Sequence, residues 1–233
     1  AVADGKVYIG SGGLNKVYCL NASTGSHVWN YTTGGYLASS PAVAYGKVYV
    51  GSIDCNVYCL DAETGNLIWN YTTGDYVFSS PAVVNGKVYV GSEDGKVYCL
   101  DAETGTSIWN YTTGNYVESS PAVADGKVYI GSGDWKVYCL DASTGTEIWN
   151  YTTGGALFSS PAIVDDKVYI GSYDNKVYCL NASTGAHIWN YTTGVGVHFS
   201  SPAVADGKVY IGLGNRKVYC LDALTGTIIW NYT

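Results

Sequence analysis

Lys96-Val97-Tyr98-Cys99-Leu100-Asp101-Ala102-Glu103-Thr104-Gly105-Thr106-Ser107-Ile108-Trp109-Asn110-Tyr111-Thr112-Thr113-Gly114 returns with few changes from Lys16, Val57, Lys136, Lys176 and Lys217, at a spacing of about 40 residues. A repeat of that period, with strand-like patterning and one Trp per copy, is the signature of a propeller or a related array. Working outward from the stretch, each copy reads as four short strands. Ser79 to Val84 opens the unit, with Pro81 where a missing N–H is tolerated. Asn85-Gly86 is a two-residue hairpin signal. Lys87 to Ser92, Lys96 to Leu100 and Ser107 to Thr112 follow, separated by turns rich in Asp and Gly.

Nothing between these strands has the length or pattern of a helix, so parallel βαβ units are excluded. Four antiparallel strands apolar on both faces need cover on both faces, and neighbouring blades around a ring supply it. The expected fold is all-β: a six-bladed β-propeller of four-stranded antiparallel blades. The copies run end to end without a linker, so residues 1–233 read as one domain with blades at roughly 1–33, 34–74, 75–114, 115–154, 155–194 and 195–233.

The pattern Gly-Lys-Val-Tyr-Ile-Gly-Ser-x-Asp-x-Lys-Val-Tyr-x-Leu-Asp-Ala-x-Thr-Gly-x-x-Ile-Trp resembles the PQQ-like repeat of quinoprotein dehydrogenases and outer-membrane-assembly propellers. The resemblance covers all six copies. It implies that Trp29, Trp69, Trp109, Trp149, Trp189 and Trp230 dock flat between adjacent blades. A large aromatic at one fixed place per blade, with an N–H in need of a partner, suits that role on physical grounds as well. Dehydrogenases of this family have eight blades and a quinone cofactor stacked on a vicinal disulfide, with calcium beside a catalytic Asp. Six repeats and the lack of any adjacent Cys pair leave those anchors with no counterpart here. The resemblance therefore speaks to fold rather than chemistry. No catalytic, cofactor or metal residue is expected, and the expected role is non-enzymatic.

Charge and motif content narrow the function further. The net charge of −7 with only 12 Lys and Arg, the Lys spread one or two per repeat without a cluster, excludes a nucleic-acid surface. No apolar run is long enough for a membrane-inserting helix. The chain contains no Met and reads as a processed product or an excerpt. Neither a nucleophile elbow nor a zincin motif nor a phosphate loop occurs. His27, His187 and His198 lie in different copies and read as surface residues. Asp54, Asp94, Asp134 and Asp174 recur in the second turn and invite a calcium ring, but turns in separate blades stand too far apart for a hard cation. A turn-stabilising role fits them better.

Cys19, Cys59, Cys99, Cys139, Cys179 and Cys220 hold equivalent strand positions, and Cys55 is too far along an extended strand to bridge Cys59. Seven free thiols suggest apolar filling in a reducing or anoxic setting. Against that stands the glycosylation sequon Asn-Tyr-Thr at Asn30, Asn70, Asn110, Asn150, Asn190 and Asn231, joined by Asn-Ala-Ser at Asn21 and Asn181. An extracellular or cell-surface glycoprotein of an anaerobic, archaeal source reconciles the two.

Because the copies are so alike, their differences point to function. In a four-strand meander the crossovers and the second turns share one face. That face is expected to present Tyr36, Tyr76, Phe78, Tyr116, Trp135, Phe158, Tyr173, His198 and Arg216, a set suited to a protein or carbohydrate contact. The leading expectation is a non-catalytic binding or assembly scaffold whose partner is a protein, a carbohydrate or copies of itself. A structural subunit of a filament or surface layer is the alternative, and a PQQ-type enzyme stands third.

Overall fold

The computed structural model describes residues 1–233 and contains 24 strands and no helix. The strands form six four-stranded antiparallel sheets, each from one contiguous segment and each in sequential order. These are the six blades of a β-propeller. Sheet 1 holds β1 (Val2–Ala3), β2 (Lys6–Ser11), β3 (Lys16–Asn21) and β4 (His27–Thr32); sheet 2 holds β5 (Ala42–Ala44), β6 (Lys47–Gly51), β7 (Asn56–Asp61) and β8 (Leu67–Thr72). In sheet 3 the order is β9 (Ala82–Val84), β10 (Lys87–Gly91), β11 (Lys96–Asp101) and β12 (Ser107–Thr112). The second half repeats the scheme from β13 (Ala122–Ala124) to β24 (Ile228–Tyr232). By compactness the chain divides into two units, Ala1–Thr112 and Thr113–Thr233.

The first hairpin of each sheet turns through two residues with positive φ, as at Asn85 (51°) and Gly86 (72°). That geometry matches the right-handed twist of the flanking strands. In sheet 5 the Gly is replaced by Asp166 at φ 55°. Its carboxylate accepts hydrogen bonds from the Ser183 hydroxyl (3.0 Å) and the Asn181 amide (3.1 Å), which offset the strain. The last pair of strands carries a bulge in every sheet, with Cys99 opposite Trp109 but Leu100 opposite Ser107. The extra residue lets Ile108 face solvent while Trp109, its neighbour, turns inward.

Within each unit, one joint between consecutive sheets recurs. The Trp29 indole N–H donates to the Ala62 carbonyl at 3.0 Å, and the Tyr8 hydroxyl donates to the same oxygen at 3.1 Å. Trp69 and Tyr49 converge on Ala102, Trp149 and Tyr129 on Ala182, and Trp189 and Tyr169 on Ala223. The Gly that ends the Asp-Ala-x-Thr-Gly motif lies against the indole. A Cβ added at Gly65, Gly105, Gly185 or Gly226 would meet the ring at 2.5–2.7 Å, and each has φ of 72–74°. A bare, left-handed residue is thus required twice over. Around the joint close Val17, Cys19, Val48, Val50 and Leu60, all fully buried, and their counterparts in later sheets.

Polar groups stitch the same sheets together. The Ser79 hydroxyl accepts from the Gly91 N–H within its own sheet (3.0 Å), while the Ser80 hydroxyl accepts from the Ser40 N–H of the preceding sheet (2.8 Å). Ser160 and Ser201 repeat the second bond at 2.9 and 3.0 Å. No buried side-chain polar atom lacks a partner.

Five of the repeat Trp are 7–9% exposed, and Trp230 is 43% exposed. At the other end Ile9 is 52% exposed where its counterparts Val50, Val90, Ile130 and Ile170 are fully buried.

These contrasts give a direct test by denaturant unfolding. Trp149→Ala is expected to cost about 3–5 kcal/mol, and Trp230→Ala about 0.5 kcal/mol or less. Gly25 has the same positive φ as Gly185 but nothing within 4 Å of its Cβ position. Gly25→Ala should then cost only the left-handed strain of about 1 kcal/mol, and Gly185→Ala clearly more. Equal costs at the two glycines would refute the Trp-on-Gly joint.

Candidate functional site

The backbone brings the two variable segments of each sheet together. The N–H of Ile53 donates to the Tyr36 carbonyl, Glu93 to Tyr76, Gly133 to Tyr116 and Tyr173 to Ala156, at 2.8–3.0 Å. Each crossover is therefore tied to the second turn of its own sheet. Of the expected face, Tyr36, Tyr76, Trp135, Tyr173, His198 and Arg216 are exposed, and Phe78, Tyr116 and Phe158 are half-buried.

In the second unit, rings gather around Phe158. Its centroid lies 5.7 Å from Tyr116 in a stacked arrangement, 6.1 Å from Tyr173 edge-on, 4.7 Å from His198 and 5.7 Å from Phe199. His198 in turn sits 5.1 Å from Tyr173 and 4.2 Å from Phe199. The longer crossover into sheet 6 makes this possible, because its extra residue carries His198 and Phe199 toward the neighbouring crossover. Phe199, 70% exposed, is a member that repeat comparison missed. Only its place at the end of the longer crossover could have pointed to it. A cavity of about 480 Å³ adjoins the cluster, lined in part by His198, Phe199, Leu213 and Arg216. In the first unit the aromatic residues are more scattered: Tyr76 meets Phe78 at 6.1 Å, and Tyr36 lies over Gly12, where a Cβ would strike the ring at 2.3 Å.

Trp135, Cys55 and Arg216 occupy the left-handed region, with φ of 73°, 67° and 65°. Gly95 fills the same place at 80° without strain. A bulky side chain held there costs stability, and such outliers gather where a side chain is needed for something else.

The recurrent acidic residues have structural work. Asp94 accepts from the Gly74 N–H at 2.9 Å, the Tyr98 hydroxyl at 2.5 Å and the Lys96 N–H of its own turn at 3.0 Å. Asp54, Asp134 and Asp174 repeat the set. Each carboxylate thus shapes its turn and also clamps the segment arriving from the preceding strand. Burial first, then the adjacent carboxylate, holds the phenols of Tyr58, Tyr98 and Tyr178 protonated far above the usual range. No cluster of three or more His, Cys, Asp or Glu side chains has metal-site geometry. A quinone cofactor does not fit this donor set: no two cysteines are adjacent in the chain, and the turn carboxylates are already bonded.

Cys19, Cys59, Cys99, Cys139, Cys179 and Cys220 are fully buried and free, and Cys55 is partly exposed. Burial pushes the thiols of Cys59, Cys139 and Cys179 up to about 12 and that of Cys99 to about 11. His27 and His187 are exposed and contact Asn30 and Asn190 at 3.0 and 2.9 Å. All six Asn-Tyr-Thr asparagines are exposed on the last strand of their sheets. Asn21 and Asn181 instead accept backbone N–H groups in the turn that Asp61 and Asp101 cap elsewhere.

Comparison with known proteins agrees with this architecture. The family described as outer membrane protein assembly factor BamB matches residues 1–115, 56–197 and 117–233. BamB from Moraxella catarrhalis superposes with a TM-score of 0.86 at 19% identity, over 100% of this chain and 74% of that one. The computationally designed Ika8 protein gives 0.87 at 18%, over 100% and 72%. A europium-containing methanol dehydrogenase gives 0.83 at 15%, over 99% and 70%. No curated protein matches the chain by sequence.

Two expectations follow for the site. Trp135→Gly should raise stability by about 0.5–1 kcal/mol, as relief of left-handed strain outweighs the glycine entropy; a loss would show that Trp135 is a packing residue. A thiol reagent applied to the native chain should modify one cysteine, Cys55, and none in Cys55→Ser. With the matched model spanning the whole chain and the fold in agreement, the chain belongs to the family of PQQ-like repeat β-propellers that includes outer membrane protein assembly factor BamB.

Proposed function

We propose that this propeller is a non-catalytic protein-binding and assembly module whose contact surface is the variable face, centred on Phe158, Tyr173, His198 and Phe199. The observation that carries the proposal is the convergence of those rings, with Tyr173 and Phe199 exposed at the rim. Aromatic anchors of low side-chain entropy are what protein interfaces use at their energetic centres. Family membership supports a protein partner over a small-molecule substrate, since the matching family is described as an assembly factor. The engagement of the four turn carboxylates in turn and clamp hydrogen bonds supports a structural rather than a chemical role for them. A photo-crosslinking residue at Tyr173 is expected to capture a protein during native expression, and one at Tyr45, in a first-hairpin turn, is not. Tyr173→Ala with Phe199→Ala, both at exposed positions, should weaken that complex at least about 30-fold, the scale of a hot-spot loss, with nearly unchanged unfolding. Equal capture at Tyr45, or a quinone absorption band in the native protein, would overturn the proposal.

We propose further that the protein works outside the cell or at its surface. The exposure of all six Asn-Tyr-Thr asparagines supports this reading: glycans on the last strand of each sheet would leave every joint described above intact. Intact mass of the native protein should exceed the chain mass of 24.8 kDa by hexose units. An unmodified mass would contradict the reading.

A further inference from the structure

We infer that sheets 2 and 3 carry a saccharide-binding site on their first-hairpin side, with the Tyr45 ring as its stacking platform. The site lies wholly within the unit Ala1–Thr112 and is independent of the variable face.

Tyr45 is the one bulky departure among the first hairpins. Its position demands a left-handed backbone in every sheet, and the other copies fill it with short polar residues: Asp4, Asn85, Asp125, Asp165 and Asp206, at φ of 48–51°. Asn and Asp enter that region at low cost because their side chains bond locally. Tyr45 holds φ 54° with an aromatic side chain, a strained arrangement that nothing in the hairpin itself requires. The residue is 59% exposed, so no core packing explains the ring. Its hydroxyl oxygen accepts from the Gly86 N–H of the next sheet at 3.2 Å, which sets the ring across the gap between two hairpins.

Beside the ring is a cavity of about 370 Å³, lined by Tyr45, Asn85, Gly86, Asp101, Ala102 and Glu103. That size falls at the lower end of small-ligand sites, about 300–1,000 Å³, and gives room for a mono- or disaccharide. One part of the lining is held rigid, because the Ala102 carbonyl already receives the Trp69 indole and the Tyr49 hydroxyl. The equivalent place at other sheet pairs carries Asp4, Asp125 or Asp165 instead of Tyr45 and so has no platform.

The polar lining suits neutral hydroxyl groups better than a cation. Glu103 is paired through Oε2 with the Lys47 ammonium at 2.8 Å. Asp101 spends Oδ1 on the Glu103 N–H, the Thr104 N–H and the Thr104 hydroxyl, at 2.8–3.0 Å. Each carboxylate keeps a second oxygen that can accept from a hydroxyl. The Asn85 amide both donates and accepts, and the Tyr45 O–H can still donate. A hard cation would need six or more oxygens, and a quaternary amine is held by several ring faces rather than one. A pyranose has an apolar C–H face and a rim of hydroxyls, which matches one exposed aromatic ring beside mixed donors and acceptors.

Saturation-transfer difference NMR on the whole chain provides the test, with methyl β-glucoside, methyl β-galactoside, methyl α-mannoside and tetramethylammonium as probes at millimolar concentration. At least one glycoside should receive saturation, strongest at the protons of one ring face. Tyr45→Asn installs the residue that Asn85 already represents in the same conformation, so the fold is kept. That variant should weaken glycoside binding at least about tenfold, while Tyr45→Trp should retain it. Phe199→Ala, on the variable face, should leave it unchanged, which separates this site from the protein contact proposed above. Saturation of no glycoside would overturn the inference. So would glycoside binding that survives Tyr45→Asn, binding that is lost in Phe199→Ala, or a response to tetramethylammonium alone.

Discussion

The convergence of an indole N–H and a phenol hydroxyl on one Ala carbonyl, above a glycine that cannot carry a side chain, is the constraint on which the rest of this molecule depends. A four-stranded blade apolar on both faces has no independent way to satisfy its surfaces. The joint buries a large aromatic against the next blade and satisfies the polar atoms that come with it. It also explains why Asp-Ala-x-Thr-Gly recurs as a block. Asp caps the turn that aims the Ala carbonyl, Thr shares the cap, and Gly leaves room for the ring. Removing any one of these leaves the others without a purpose.

That constraint accounts for the division between constant and variable positions. Residues that make the joint, the Ser ladder and the Asp clamp are fixed by neighbours on both sides. The variable residues of the crossovers and second turns are held to their own sheet through backbone bonds, and no contact repeated in every copy fixes their side chains, so these are free to differ. The differences then accumulate on one face, where Phe158, Tyr173, His198 and Phe199 form a cluster and Trp135 is held in a strained conformation. Repetition builds the scaffold, and departures from repetition supply the surface proposed for recognition.

Much of this was legible in the chain itself because periodicity repeats each signal. The strands, the two-residue hairpins and the inward Cys follow from spacing and residue type, and the inter-blade Trp is what the resemblance to the PQQ-like repeat implies. The Asp residues were readable only in part. Their bond to the next N–H of the turn is local, but the bond from Asp94 to Gly74 spans 20 residues and depends on how two sheets abut. The Ser-Ser hydroxyls were opaque for the same reason. Trp230 is 43% exposed although its sequence context matches that of the five buried Trp, so residue pattern alone does not fix a side chain's environment. His198 and Phe199 entered the cluster through a longer crossover whose path spacing alone does not specify.

Hydrogen exchange at the tryptophan indoles, read by ¹⁵N NMR on dilute protein, tests the central claim most directly. The indole N–H groups of Trp29, Trp69, Trp149 and Trp189 should exchange slowly, each bonded to an Ala carbonyl and sealed by Gly. Those of Trp135 and Trp230 should exchange at nearly the rate of free indole. Exchange at Trp149 as fast as at Trp230 would mean that the carbonyl and glycine seat does not hold the blades together.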